Sequence, residues 1–190
     1  GLVGSEMCIR DRSDDAKEKM KNRKTPIASF YANLMAFDGY YEKKWFPYTM
    51  PISDIYGLRA AFNLIAGDKT LYERHARIGS ATRAAVKEAG LKLHLQSGYS
   101  NTVTVFDIPE CTDAKSILDE MRTKYNIMLA GSFDELSGKV IRIGHMGENA
   151  RLEHMVPALE ALSATLTDLG VTLQGNLADL FLKHYREFQD

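Results

Sequence analysis

The sequence predicts an α/β chain in which a small sheet with one crossing helix lies between two groups of helices. Three observations carry this expectation. Apolar residues recur at intervals of three and four from Ile52 to Val86, the period of a helix with one buried face. The period then changes to alternation in residues 91–95 and 102–108, which suits strands with two unlike faces. Helical spacing returns in residues 151–169 and 176–188, so the order of elements is helices, sheet, helices.

Residues 1–12 share neither composition nor period with the rest. The peptide Gly-Leu-Val-Gly-Ser-Glu-Met-Cys-Ile-Arg-Asp-Arg resembles what sequencing-adapter DNA encodes at the broken end of an assembled gene. It is read as non-native and as the mark of a truncation; a genuine N-terminal arm is the alternative. Residues 13–24 open with Ser13, a good N-cap, carry acids early and bases late, and are stopped by Thr25-Pro26. Residues 27–37 are expected to form a second short helix. Residues 38–51, aromatic and punctuated by Pro47 and Pro51, read as an ordered loop resting against another surface. A helix follows over 52–65, broken by Gly67-Asp68. A longer one runs to residue 89, with Leu71, Ile78, Ala81, Ala85 and Val86 on one side and Gly90 as its C-terminal cap. Strands are expected at 91–95, 102–108, 127–130 and 139–143, with a helix over 112–125 among them.

Bulk properties exclude several functions. The 190 residues, 45% of them hydrophobic, suffice for a soluble globular core. The 24 basic and 25 acidic residues nearly cancel and are spread along the chain, so no field of one sign attracts nucleic acid or an anionic membrane. No apolar run approaches the roughly 20 residues of a bilayer span, and no secretory leader is visible. Cys8 and Cys111 are too few for a disulfide framework and lack zinc-ligand spacing, which fits a reducing cytoplasm.

Most candidate chemistries fail on spacing. Residues 131–139 superficially match a phosphate-binding loop, but six residues separate Gly131 from Gly138 instead of four, and Val140 stands where a magnesium-binding hydroxyl belongs. His75, His94, His145, His154 and His184 show no paired helical spacing and read as ordinary histidines. No GxSxG elbow exists, and Cys111 has no nucleophile motif. The exception is Arg142, set between Ile141 and Ile143 in an apolar strand and followed by Gly144 and Gly147. Strand alternation turns it to the face opposite its neighbours. Its planar fork can grip a carboxylate through two parallel hydrogen bonds. A solvent-facing arginine or a structural salt bridge is the competing explanation.

Five collinear segments decide between these. They are Arg23-Lys24 with Ser29-Phe-Tyr31, then Tyr48-Thr-Met-Pro-Ile-Ser-Asp-Ile-Tyr-Gly-Leu-Arg59, then Glu73-Arg-His75, then Asn101-Thr-Val-Thr104, and finally Leu129-Ala-Gly131 with Gly138-Lys-Val-Ile-Arg-Ile-Gly-His-Met-Gly147 and Asn149-Ala150. Over residues 13–169 the chain resembles the C-terminal part of class V pyridoxal-phosphate aminotransferases, in the alanine–glyoxylate and serine–pyruvate branch. The resemblance implies a fold-type-I transferase, with residues 13–90 a remnant of the large domain and bridging helices. Residues 91–169 would be the small C-terminal domain, its sheet mostly antiparallel, and residues 170–190 a helical tail. It implies pyridoxal 5'-phosphate as cofactor, a homodimeric parent, and small amino acids and 2-oxo acids as substrates. Alanine or serine would be the donor, glyoxylate or pyruvate the acceptor.

By the same resemblance Arg142 matches the anchor of the substrate α-carboxylate. Thr49 matches a threonine that reaches the cofactor phosphate of the partner subunit. A tyrosine that assists in the relatives is replaced by Phe46, with Tyr48 a candidate substitute. The cofactor lysine of the family is absent from the chain: Lys17, Lys19, Lys21 and Lys24 lie in a polar helix, so no catalytic residue is assigned and the fragment alone is expected to be inactive. Two alternatives are a pyridoxamine–pyruvate aminotransferase of the same family and a noncatalytic ferredoxin-like binding module.

Overall fold

The computed structural model describes residues 12–188. Residues 1–11, nearly all of the peptide read as non-native, lie outside the described residues. Contacts divide the chain into two compact units, one ending at Asp68 and the other beginning at Lys69.

In the first unit helix α1 (Asp14–Lys21) starts where Ser13, in extended conformation, accepts a hydrogen bond from the amide of Ala16 at 3.2 Å. Asp14 and Asp15 fill its first turn and Lys19 and Lys21 its last, matching the macrodipole. The helix expected over 27–37 does not form; only a single 3-10 turn, Leu34–Phe37, is present. Ser29 Oγ accepts from the amide of Ala32, and Asn33 Oδ1 from that of Met35, each at 3.1 Å. Such local bonds compete with a helical ladder. The aromatic rings gather instead: Phe37 meets Phe46 and Tyr48 edge-on with centroids 5.6 and 5.3 Å apart, and Phe30 meets Tyr48 at 5.2 Å. Helix α2 (Ile52–Gly67) then runs to the break expected at Gly67-Asp68. No residue of this unit is buried among those described, and Tyr56, Phe62, Leu64 and Ile65 are each more than half exposed.

The second unit holds the core. Helix α3 (Leu71–Glu88) ends at Gly90, whose φ of +87° suits a residue without a Cβ. Strand β1 (Val103–Asp107) pairs antiparallel with β2 (Val140–Gly144), Val105 facing Arg142. Between them α4 (Ala114–Tyr125) is capped by Asp113, whose Oδ1 accepts from the amide of Ser116 at 2.9 Å. Helices α5 (Leu152–Asp168) and α6 (Leu177–Glu187) complete the unit. The strands expected at 91–95 and 127–130 shrink to single antiparallel bridges, Leu93 to Phe106 and Ala130 to Arg142. Each lies at a sheet edge, with one neighbour only, and the chain turns away after one pairing. Every pairing is thus antiparallel. Ile78 and Val86 of α3, Phe106, Ile141 and Ile143 of the sheet, Met121 of α4, Leu159 and Leu162 of α5 and Phe181 of α6 are all buried in one cluster. The helix expected over 176–188 forms as α6 and is part of that core, packing on α3 and α5.

Candidate functional site

Arg142 is held from both sides of β2. Its amide donates to the carbonyl of Ala130 at 2.7 Å and its carbonyl accepts from Ala130 at 3.3 Å, while Val105 pairs on the other edge. Ile141 and Ile143 point into the core, and Arg142, half-buried, takes the opposite face. Its Nε donates to the carbonyl of Gly131 at 2.5 Å, and its guanidinium carbon sits 5.3 Å from the ring centroid of Phe133. No carboxylate among the described residues pairs with it, so the salt bridge that competed as an explanation is not formed among them. Its two terminal nitrogens remain available to an anion.

The arginine lines a cavity of about 630 Å3 together with Met128, Met146, Asn149, Glu153 and His154. The walls are therefore mixed, thioether and amide beside charged groups. This suits a small ligand with one anionic group and limited apolar bulk.

Behind β2 the chain is fixed by two histidines that sequence spacing left as ordinary. His145 is completely buried; Nδ1 donates to the carbonyl of Asn101 at 3.2 Å and Nε2 accepts from the hydroxyl of Thr104 at 2.8 Å. Burial pushes its pKa down to about 4, the Asn101 carbonyl pulling the other way, so the ring is neutral at pH 7. His75 of α3 donates from Nδ1 to the carbonyl of Leu71 at 2.6 Å and accepts from the amide of Gly147 at 3.1 Å. Gly79 permits α3 to approach His145 and Asn101 closely: a Cβ there would lie 3.0 Å from Nη1 of Arg83, 3.2 Å from Cε1 of His145 and 3.3 Å from Cα of Asn101. The signal for His145 was present in the alternation, because 141, 143 and 145 share one face. That for His75 was not, since its partner lies 72 residues away.

Thr49 belongs to the first unit, Arg142 to the second. Thr49 is exposed between the aromatic cluster and α2, and no hydrogen bond occupies its hydroxyl among the described residues. Tyr48, the candidate substitute beside Phe46, donates its proton to the carbonyl of Phe30 at 2.6 Å, so that donor is already engaged. The hydroxyl of Thr49 is left as an open hydrogen-bond donor and acceptor among the described residues. The lysine side is different: no lysine is buried among the described residues, Lys17 lies 4.0 Å from Asp14, and Lys21 lies 3.7 Å from Asp38. These residues offer no enclosed amine for a cofactor linkage. No group of histidine, cysteine or acidic residues with metal-binding geometry exists among the described residues either. None of the described helices is long and apolar enough to cross a membrane.

No protein-family profile matches the chain. The serine–glyoxylate aminotransferase of Methylorubrum extorquens is 35% identical over 174 residues, covering 87% of this chain and 42% of that enzyme. Among solved structures, ureidoglycine–glyoxylate aminotransferase from Bacillus subtilis matches with a TM-score of 0.78 at 30% identity, over 90% of this chain and 46% of that one. Pyridoxamine–pyruvate aminotransferase from Mesorhizobium loti matches with a TM-score of 0.76 at 30% identity, over 92% and 46%. The chain spans somewhat under half the length of the relatives it matches.

Proposed function

We propose that this chain belongs to the class V aminotransferase family and that it serves amino-group transfer between a small amino acid and a 2-oxo acid. Alanine or serine is the first choice of donor, glyoxylate or pyruvate of acceptor. Residues 13–90 would then correspond to the end of the large domain with its bridging helices, 91–169 to the small domain and 170–190 to a helical tail. A cytoplasmic setting is part of the same reading.

The observation that carries it is the unpaired fork of Arg142 at the wall of the cavity. Arg142 receives the α-carboxylate on its two terminal nitrogens, fixing the substrate by charge and geometry together. Thr49 donates one neutral hydrogen bond to a cofactor phosphate bound by the partner subunit of a homodimer. Pyridoxal phosphate, when bound, supplies the electron sink for the reaction. Seven large apolar side chains of α2, from Ile52 to Ile65, stand exposed, which fits a surface that the large domain or the partner subunit of the parent enzyme covers. Likeness to the pyridoxamine–pyruvate enzyme keeps that reaction as the sibling reading.

The test begins at the gene, by translating the source DNA upstream of the Ser13 codon. A preceding domain that ends in a Ser-Gly-Ser-Gln-Lys-like segment supports transamination. A natural start codon in its place sinks it in favour of a binding module. In the lysine-bearing protein, Arg142→Ala should raise the KM for amino acid roughly 10- to 100-fold, the worth of hydrogen bonds to a charged group. Cofactor absorbance should stay unchanged. An unaltered KM removes Arg142 from the site.

A further inference from the structure

We propose that Phe133 is a positioning residue for Arg142, holding the guanidinium so that its two terminal nitrogens, and not Nε, meet an incoming carboxylate. The proposal rests on the reading of Arg142 as carboxylate anchor. A free arginine side chain is rich in rotamers, and ordering it only when ligand arrives costs affinity. Here two contacts order it beforehand, and both come from one loop. The carbonyl of Gly131 takes Nε at 2.5 Å, and the guanidinium carbon lies over the ring of Phe133, 5.3 Å from its centroid. The loop is tied to β2 by the paired bonds between Ala130 and Arg142, so ring and carbonyl reach the arginine from one anchored segment. With Nε satisfied, a carboxylate must approach end-on, along the edge left open by the ring.

The placement of Phe133 needs a cause, because the ring is 74% exposed and adds nothing to the core. The backbone imposes it. Asp134 adopts a left-handed φ of +49°, uncommon for a residue with a side chain. Three successive turns follow, in which the amides of Leu136, Ser137 and Lys139 donate to the carbonyls of Phe133, Asp134 and Leu136, each at 3.1 Å. Gly138, with φ of +71°, returns the chain to β2. The strained loop spends its conformational freedom on an aromatic ring whose described cation partner is Arg142.

The test uses the whole chain, isotopically labelled, and follows the Nε–H resonance of Arg142 by NMR, first without ligand and then during titration with pyruvate. Phe133→Ala should shift that resonance, speed its exchange with water and weaken pyruvate binding about threefold, the size of an exposed cation–π contact. Phe133→Tyr should restore all three. Unchanged amide resonances at Leu136 and Ser137 show that the loop has kept its shape in both variants. An Arg142 resonance indifferent to Phe133→Ala overturns the proposal, as does a shifted resonance with unaltered pyruvate affinity. Arg142→Ala separates the two levels: if pyruvate binds that variant as it binds the parent chain, the anchor reading itself has failed and the proposal falls with it.

Discussion

His145 shows how one side chain can connect the site to the stability of the chain. Its ring is buried and neutral, with both nitrogens engaged, and its folded pKa of about 4 lies below the ordinary histidine value of about 6.5. Between those values the unfolded chain binds the proton and the folded chain does not, so stability falls as pH drops through that window. On going from about pH 7 to about pH 5, the loss assignable to His145 should be on the order of 2 kcal/mol. Urea titrations at both values check this against His145→Gln, which cannot titrate. Equal losses in the two proteins would show that His145 does not carry the effect. At this scale alternation made Arg142 legible, and it held the buried side of His145 as well, although spacing rules for metal and catalytic histidines drew attention elsewhere. Phe133 was not legible, because its contact with Arg142 depends on the left-handed turn at Asp134.

Among the elements, helices with strong end signals were read well. Ser13, Gly67-Asp68, Gly90 and Asn176 all stand where patterning put a boundary, because caps act locally. Asn176 makes this quantitative: its Oδ1 accepts from the amides of Ala178 at 2.8 Å and Asp179 at 3.4 Å. Asn176→Ala should therefore cost about 1 kcal/mol. A fall in the denaturation midpoint of the second unit measures it, and no fall would mean that Ser163 Oγ, which accepts from the amide of Leu177 at 2.7 Å, fixes the helix start alone. The edge strands were over-read, since residues 91–95 and 127–130 have the composition of strands but only one neighbour each. The segment 27–37 was misread for a related reason. Its apolar residues suit a helix, yet Ser29 and Asn33 divert the backbone amides and the rings find one another.

Across the whole molecule, the buried apolar residues among those described all follow Lys69. A protein made of residues 69–188 should thus unfold cooperatively, with a midpoint close to that of the second unit in the full chain. It should also bind less of a dye that reports exposed apolar surface, having lost α2. A broad, non-cooperative transition would show that the core needs the first unit. The fold class was readable from the change of period, whereas the aminotransferase relationship needed the order of five short segments, none of them informative by itself. Helix α2, with its open apolar surface, also bears on how long the protein survives in a cell. Chaperones and degradative proteases select chains by accessible hydrophobic stretches, and a destabilised population is removed continuously. Abundance would then follow the supply of whatever surface covers Ile55, Tyr56 and Phe62, so that copies in excess of that surface are the ones cleared.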